Sequence, residues 1–149
     1  MKKDQTGQTL VEVIVASGIV TLVLSGLVSA ITYGLTSVQF SRNKALATKY
    51  AQESLEWVRS KRDVSANWAT FYSTYASTPT TYCMSTLIWS TTSPCVTPIN
   101  DAYDKFVRTV TLTGNGAPDN DRIHIEAVVT WNEGRRSSSV SLETYLSSW

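Results

Sequence analysis

Three patterns of apolar and polar positions succeed one another along the chain. From Thr9 to Val38 nearly every residue is apolar or small, and Glu12 is the sole charge between Thr9 and Ser41. From Ala45 the pattern turns amphipathic. Ala47, Ala51, Ser54, Leu55 and Val58 fall on one stripe at helical spacing, with Lys44, Glu53, Glu56 and Arg59 mostly off it. From Lys105 onward the period drops to two. Phe106, Val110 and Leu112 share a face, then Ile123, Ile125, Ala127, Val129 and Trp131, then Val140, Leu142 and Leu146. Gly134 in Asn132-Glu133-Gly134 predicts a hairpin turn, and residues 114–121 supply the other turn. These patterns predict an α+β fold. A long proline-free helix from Thr9 to Lys61 uses its second half to cover an antiparallel sheet of three to four strands. Residues 65–104 read as an irregular connection carrying Trp68, Phe71, Tyr72, Tyr75, Tyr82 and Trp89. Those aromatics either pin the connection to the sheet or form an exposed contact patch.

The helix is too long for one environment. At ~1.5 Å per residue it extends near 80 Å, against a hydrocarbon core of ~30 Å. Its first half therefore reads as a membrane span and its second half as part of an outer domain. Glu12 is then a carboxylate at the entrance of a membrane segment. Such a charge is costly there and points to a partner. No Lys, Arg or His inside the run can serve, so the partner comes from elsewhere. Lys2 and Lys3 favour a cytoplasmic N-terminus, while Arg42 and Lys44 on the far side oppose that signal. A secretory signal peptide cut after Ala30, in Val28-Ser29-Ala30, and a plain single-span anchor compete with this reading. Neither accounts for Glu12 or for the Gly7 junction before it.

The stretch Gly7-Gln8-Thr9-Leu10-Val11-Glu12-Val13-Ile14-Val15-Ala16-Ser17-Gly18-Ile19-Val20 resembles the processing and assembly signal of type IV pilins and type II secretion pseudopilins. The end of the chain, from Val128 to Trp149, is similar to the close of minor pilins of the PilV-like group. The resemblance implies a pilin fold and cleavage after Gly7 by a prepilin peptidase. Gln8 becomes the first mature residue and is N-methylated. Glu12, the fifth mature residue, then pairs with the N-terminal ammonium of an adjacent subunit. Two groups too costly to bury alone become tolerable as a pair. The implied partners are other pilin subunits through a helix bundle, the peptidase, an inner-membrane assembly platform and membrane lipid. The implied location is a single-pass inner-membrane protein with its C-terminal domain outside, later a periplasmic or extracellular filament. Major pilins carry a Pro at mature position 22, where this chain has Ser29. Gly18, Gly26 and Gly34 recur every eight residues, either for close helix packing or for local softness. The expected organisation is a leader at 1–7, an assembly helix at 8–41, an amphipathic half at 42–64, the connection at 65–104 and the sheet at 105–149. The alternative is a membrane-anchored, adhesin-like binding module that never enters a filament.

Composition narrows the chemistry. The 149 residues carry a net charge of +1, which leaves no electrostatic footprint for nucleic acid. About 110 residues lie beyond the membrane run, enough for one small domain. In an oxidising compartment Cys83 and Cys95 form a disulfide around a Thr-, Ser- and Pro-rich loop, the alternative being two unrelated thiols. His124 lies between Arg122 and Glu126 on the polar strand face, and no catalytic constellation assembles around it, so no enzyme is expected. No cofactor is expected either. Asp119 and Asp121, with Asp101 or Asp104, are candidate calcium ligands, set against an ordinary role in turns.

Overall fold

The computed structural model describes residues 6–91, 94–99, 105–134 and 136–148, with side chains described from residue 9 onward. Lys2, Lys3, Asp101 and Asp104 lie outside the described residues. The elements in chain order are α1 (Thr6–Val64), α2 (Trp68–Tyr75), β1 (Thr80–Cys83), β2 (Phe106–Gly114), β3 (Arg122–Glu133) and β4 (Arg136–Ser147). By packing the chain divides into two units, Met1–Arg42 and Asn43–Trp149.

The first unit is helical. Its large apolar side chains from Leu10 to Val38 are each between 54% and 78% exposed. The α1 helix is long and apolar enough to cross a membrane.

The second unit is a four-stranded antiparallel sheet in the order β1-β2-β3-β4, with the later part of α1 against one face. Ala47, Ala51, Ser54, Leu55 and Val58 are all buried, so the amphipathic stripe is the cover that its spacing predicts. The alternating residues of β2 and β3 form the other half of the core. Phe106, Val110, Leu112, Ile123, Ile125, Ala127, Val129 and Trp131 are buried. On the edge strand β4, Leu146 is buried while Val140 and Leu142 are partly covered. The hairpin turns at Gly134, whose φ of 60° is the left-handed value that the turn requires. The pairing of Glu133 with Arg136 fixes the register.

The structure differs from the sequence expectation in two places. Helix α1 continues to Val64, three residues past Lys61. The Ser65 amide donates to Arg62 O at 3.0 Å and the Ser65 hydroxyl to Lys61 O at 2.8 Å, closing the last turn. The segment after it is not wholly irregular, since it holds α2 and β1. Asn67 caps α2 by accepting the Thr70 amide at 2.8 Å. Trp68, Phe71, Tyr72 and Tyr75 are spaced i, i+3, i+4, i+7, a helical period hidden among Ser and Thr.

The aromatics pin the connection. Trp89 stacks on Tyr75 with centroids 4.4 Å apart and meets Tyr82 at 4.7 Å and Trp57 of α1 at 4.8 Å. Trp68, Phe71, Tyr72, Tyr75, Tyr82 and Trp89 are all buried or half-buried. Trp89 lies inside the loop that the Cys83–Cys95 disulfide closes, and the Cys83 amide donates to Ser90 O at 2.7 Å. The loop therefore folds back over the β1 edge. Gly114 marks the closest approach beneath α2, where an added Cβ would meet the Ala76 carbonyl at 2.6 Å and the Tyr72 hydroxyl.

Candidate assembly and processing site

Gly7 and Gln8 lie in the first turn of α1, and the surroundings of their side chains fall outside the described residues. Glu12 follows one turn later and is exposed. Its neighbours on the helix face are Val11, Val15, Ala16 and Ile19, so the carboxylate stands in an apolar surround. Among the described residues no cation pairs with it. The next charge along the helix is Arg42, about 45 Å further on at the α-helical rise. Chemically this is an acceptor with two oxygens and, among the described residues, nothing to neutralise it. In a low-dielectric setting it can accept a proton or bind an ammonium.

The hydroxyls of the same segment behave differently. Ser17, Thr21, Ser25, Ser29, Thr32 and Thr36 each donate to a carbonyl three or four residues back, at 2.8–2.9 Å. Their polarity is thus satisfied within the helix, which suits a segment surrounded by hydrocarbon. At 100° per residue they fall within an arc of about 120°, with Glu12 on the opposite side. Ser29 bonds Ser25 O at 2.9 Å and the helix is unbroken there. A Cβ added at Gly18, Gly26 or Gly34 would meet nothing within 4 Å, so these glycines serve no contact inside the chain.

The second unit settles its polar groups internally, and no buried side-chain donor or acceptor among the described residues lacks a partner. Arg108 is the extreme case. It lies on the apolar face of β2, only 2% exposed. Its guanidinium donates from Nε to Met84 O at 2.9 Å, and from Nη1 to Tyr50 O at 3.1 Å and Glu53 Oε2 at 3.0 Å. One side chain thereby ties α1, β2 and the disulfide loop together. Burial pulls its pKa down, and the Glu53 carboxylate pushes it back up. The alternation of β2 puts Arg108 inward between Phe106 and Val110, a signal present in the sequence that the apolar count passes over.

A second cluster was equally invisible to local patterns. Glu133 at the β3–β4 hairpin accepts from Asn43 Nδ2 and, at 3.0 Å, from Trp131 Nε1. Lys105 Nζ donates to Asn43 Oδ1 at 2.8 Å. The Asn43 bond, then the Trp131 bond and the Lys105 charge, hold the Glu133 carboxyl below its ordinary pKa.

His124 pairs with Glu143 at 3.1 Å on the outer sheet face. Asp121 accepts the Asn115 side-chain amide at 2.6 Å, and Trp68 Nε1 donates to Asn120 O at 2.6 Å, so this turn is knitted by its own hydrogen bonds. Among the described residues no group of three His, Cys, Asp or Glu side chains is placed to hold a metal ion.

Comparison with known proteins bears on the first unit. Residues 2–31 match the prokaryotic N-terminal methylation motif. No curated protein and no solved structure matches the chain. The matched span includes Gly7, Gln8, Glu12 and most of the apolar run, and it stops before the sheet-bearing unit. That motif marks the type IV pilin and pseudopilin family, and here it heads a long apolar helix in a chain that also carries a four-stranded antiparallel sheet.

Proposed function

We propose that the chain is a minor pilin, a structural subunit of a type IV pilus or related filament. It is held in the membrane by α1, cut by a prepilin peptidase after Gly7 and methylated on Gln8. It then joins a bundle of like helices through apolar contacts and an ion pair between Glu12 and the N-terminal ammonium of the adjacent subunit. The observation that carries this reading is Glu12 on an apolar helix face, without a cation among the described residues, whose buried polar side chains are otherwise satisfied. Cleavage creates the missing cation: Gln8 gains a free amine that the uncut chain lacks. Methylation keeps that amine basic and crowds it against cyclisation to pyroglutamate, which would destroy the charge. The run of exposed apolar side chains from Leu10 to Val38 fits the same end, because it is suited first to lipid and then to neighbouring helices.

The test is whether the chain enters filaments. Filaments sheared from cells expressing a tagged chain should contain it at a low ratio to the main subunit. Retention of the whole population in the membrane fraction, with surface binding intact, would instead support the anchored binding module.

A further inference from the structure

The clamp around Asn43 has a charge pattern that filament assembly does not require. At the pole of the second unit where α1 enters, Asn43 is bonded on both sides, to Glu133 and to Lys105. The Glu133 carboxylate is engaged by its bonds from Asn43 and Trp131. Two exposed cations stand beside it. Lys44 follows Asn43 on α1, and Arg136 faces Glu133 across the hairpin. Both are exposed, and no carboxylate among the described residues pairs with either. Lys105 adds a third positive charge beside them. Among the described residues, Glu133 is the acidic group of this cluster.

The position of this pole along the chain decides what it meets. The apolar run ends at Val38, and Lys44 comes six residues later, about 9 Å along the helix. From Thr9 to Lys44 the helix covers about 52 Å, while a bilayer with both headgroup layers is ~40–45 Å thick. With a tilt of about 30–40°, in the upper part of the range for membrane helices, a span whose first turn sits at one interface brings Lys44 to the headgroups of the other. A cation at such a surface is attracted to anionic lipid, and the attraction decays within a Debye length.

We infer that Lys44, Lys105 and Arg136, organised by the Asn43–Glu133 clamp, form a seat for the phosphates of anionic lipid headgroups in the leaflet where α1 leaves the membrane. The inference rests on the membrane-anchor reading of α1 and is independent of filament assembly. It gives the clamp a task before assembly: it fixes the hairpin so that Arg136 and Lys105 stand beside Lys44. It also implies that withdrawing the subunit from the bilayer must break these contacts.

The test uses the full chain in nanodiscs made from an equal mixture of phosphatidylcholine and phosphatidylglycerol. Native mass spectrometry then counts the lipids retained by the protein. Retention should favour phosphatidylglycerol and weaken with added salt. Lys44→Gln and Arg136→Gln should each lower the preference roughly fivefold, whereas Lys49→Gln, on the exposed side of α1 beyond the pole, should leave it unchanged. Both Gln variants alter exposed side chains and should keep the thermal transition of the parent. Equal retention of the two lipids overturns the inference, as does an equal loss from Lys49→Gln. Cross-linking of the pole to the Asp119–Asp121 turn of a second copy, without lipid preference, would also overturn it and make the surface a subunit contact. A chain that fails to stay with the nanodisc at all would refute the membrane anchor itself.

Discussion

The two units of this molecule handle polarity in opposite ways. In Asn43–Trp149 a guanidinium buried among apolar side chains still finds three acceptors, and no described buried polar side chain is left without a partner. In Met1–Arg42 the apolar side chains face outward and the one described carboxylate has no cation. The first arrangement satisfies its described buried polar groups within the chain. The second leaves its apolar side chains and its carboxylate to be met from outside, under the proposed function by lipid or other helices and by an ammonium. Stability and assembly are therefore expected to respond to different residues.

Glu12→Ala should break the contrast most visibly. Under the proposed pairing it removes one half of an intermolecular ion pair and leaves a buried ammonium alone, a loss of several kcal/mol. Incorporation into filaments should fall at least tenfold while processing and the thermal transition of the second unit stay as they are. Normal incorporation of the variant would remove Glu12 from the account.

The reverse case is Arg108→Ala. It deprives Met84 O and Tyr50 O of their donor and strands Glu53, so the second unit should lose about 3 kcal/mol, measured by denaturant unfolding. Glu53→Gln should cost under ~1 kcal/mol, because that carboxylate is half-exposed. Equal effects from the two would contradict the assignment of Arg108 as the tie between α1, β2 and the disulfide loop.

Replacing Cys83 and Cys95 together by Ser should cost about 2–3 kcal/mol through the freed loop, with the stacking of Trp89 holding part of the fold in place. Near-ultraviolet dichroism of Trp89 and its neighbours should weaken without vanishing. An unchanged unfolding midpoint would show that the aromatic cluster alone fixes the loop.

The smallest effect concerns pH. The hydrogen bonds from Asn43 and Trp131 favour the ionised Glu133 carboxyl in the folded state. Folded Glu133 therefore takes up its proton at lower pH than unfolded Glu133. Its contribution to stability is complete above the unfolded carboxyl pKa and disappears as pH falls through the lower, folded value. Glu133→Gln should flatten that part of the acid limb below about pH 4 and leave the neutral range nearly unchanged. Parallel acid limbs for the two proteins would show that Glu133 is not linked to folding.

How much the sequence disclosed follows the same division. Its periodicities are local, and they located the helix, the buried stripe of Ala47, Ala51, Ser54, Leu55 and Val58, and the inward residues of β2 and β3. They also gave the hairpin at Gly134, where a two-residue loop demands a left-handed residue. Helix α2 escaped because Ser and Thr dilute its aromatic period. The Arg108–Glu53 and Asn43–Glu133 bonds escaped for a different reason, since they join residues far apart in the chain and no spacing rule reaches that far. Glu12 stands out in either view, since a carboxylate in an apolar run is as conspicuous in one dimension as in three, while its pairing is a matter for experiment.

The most direct measurement is the mass of the N-terminal peptide after co-expression of the full chain with a prepilin peptidase. The account predicts a peptide that begins at Gln8 and carries one added methyl group. A peptide that still begins at Met1, with the peptidase active on a control substrate, would contradict it and leave Glu12 without its ammonium.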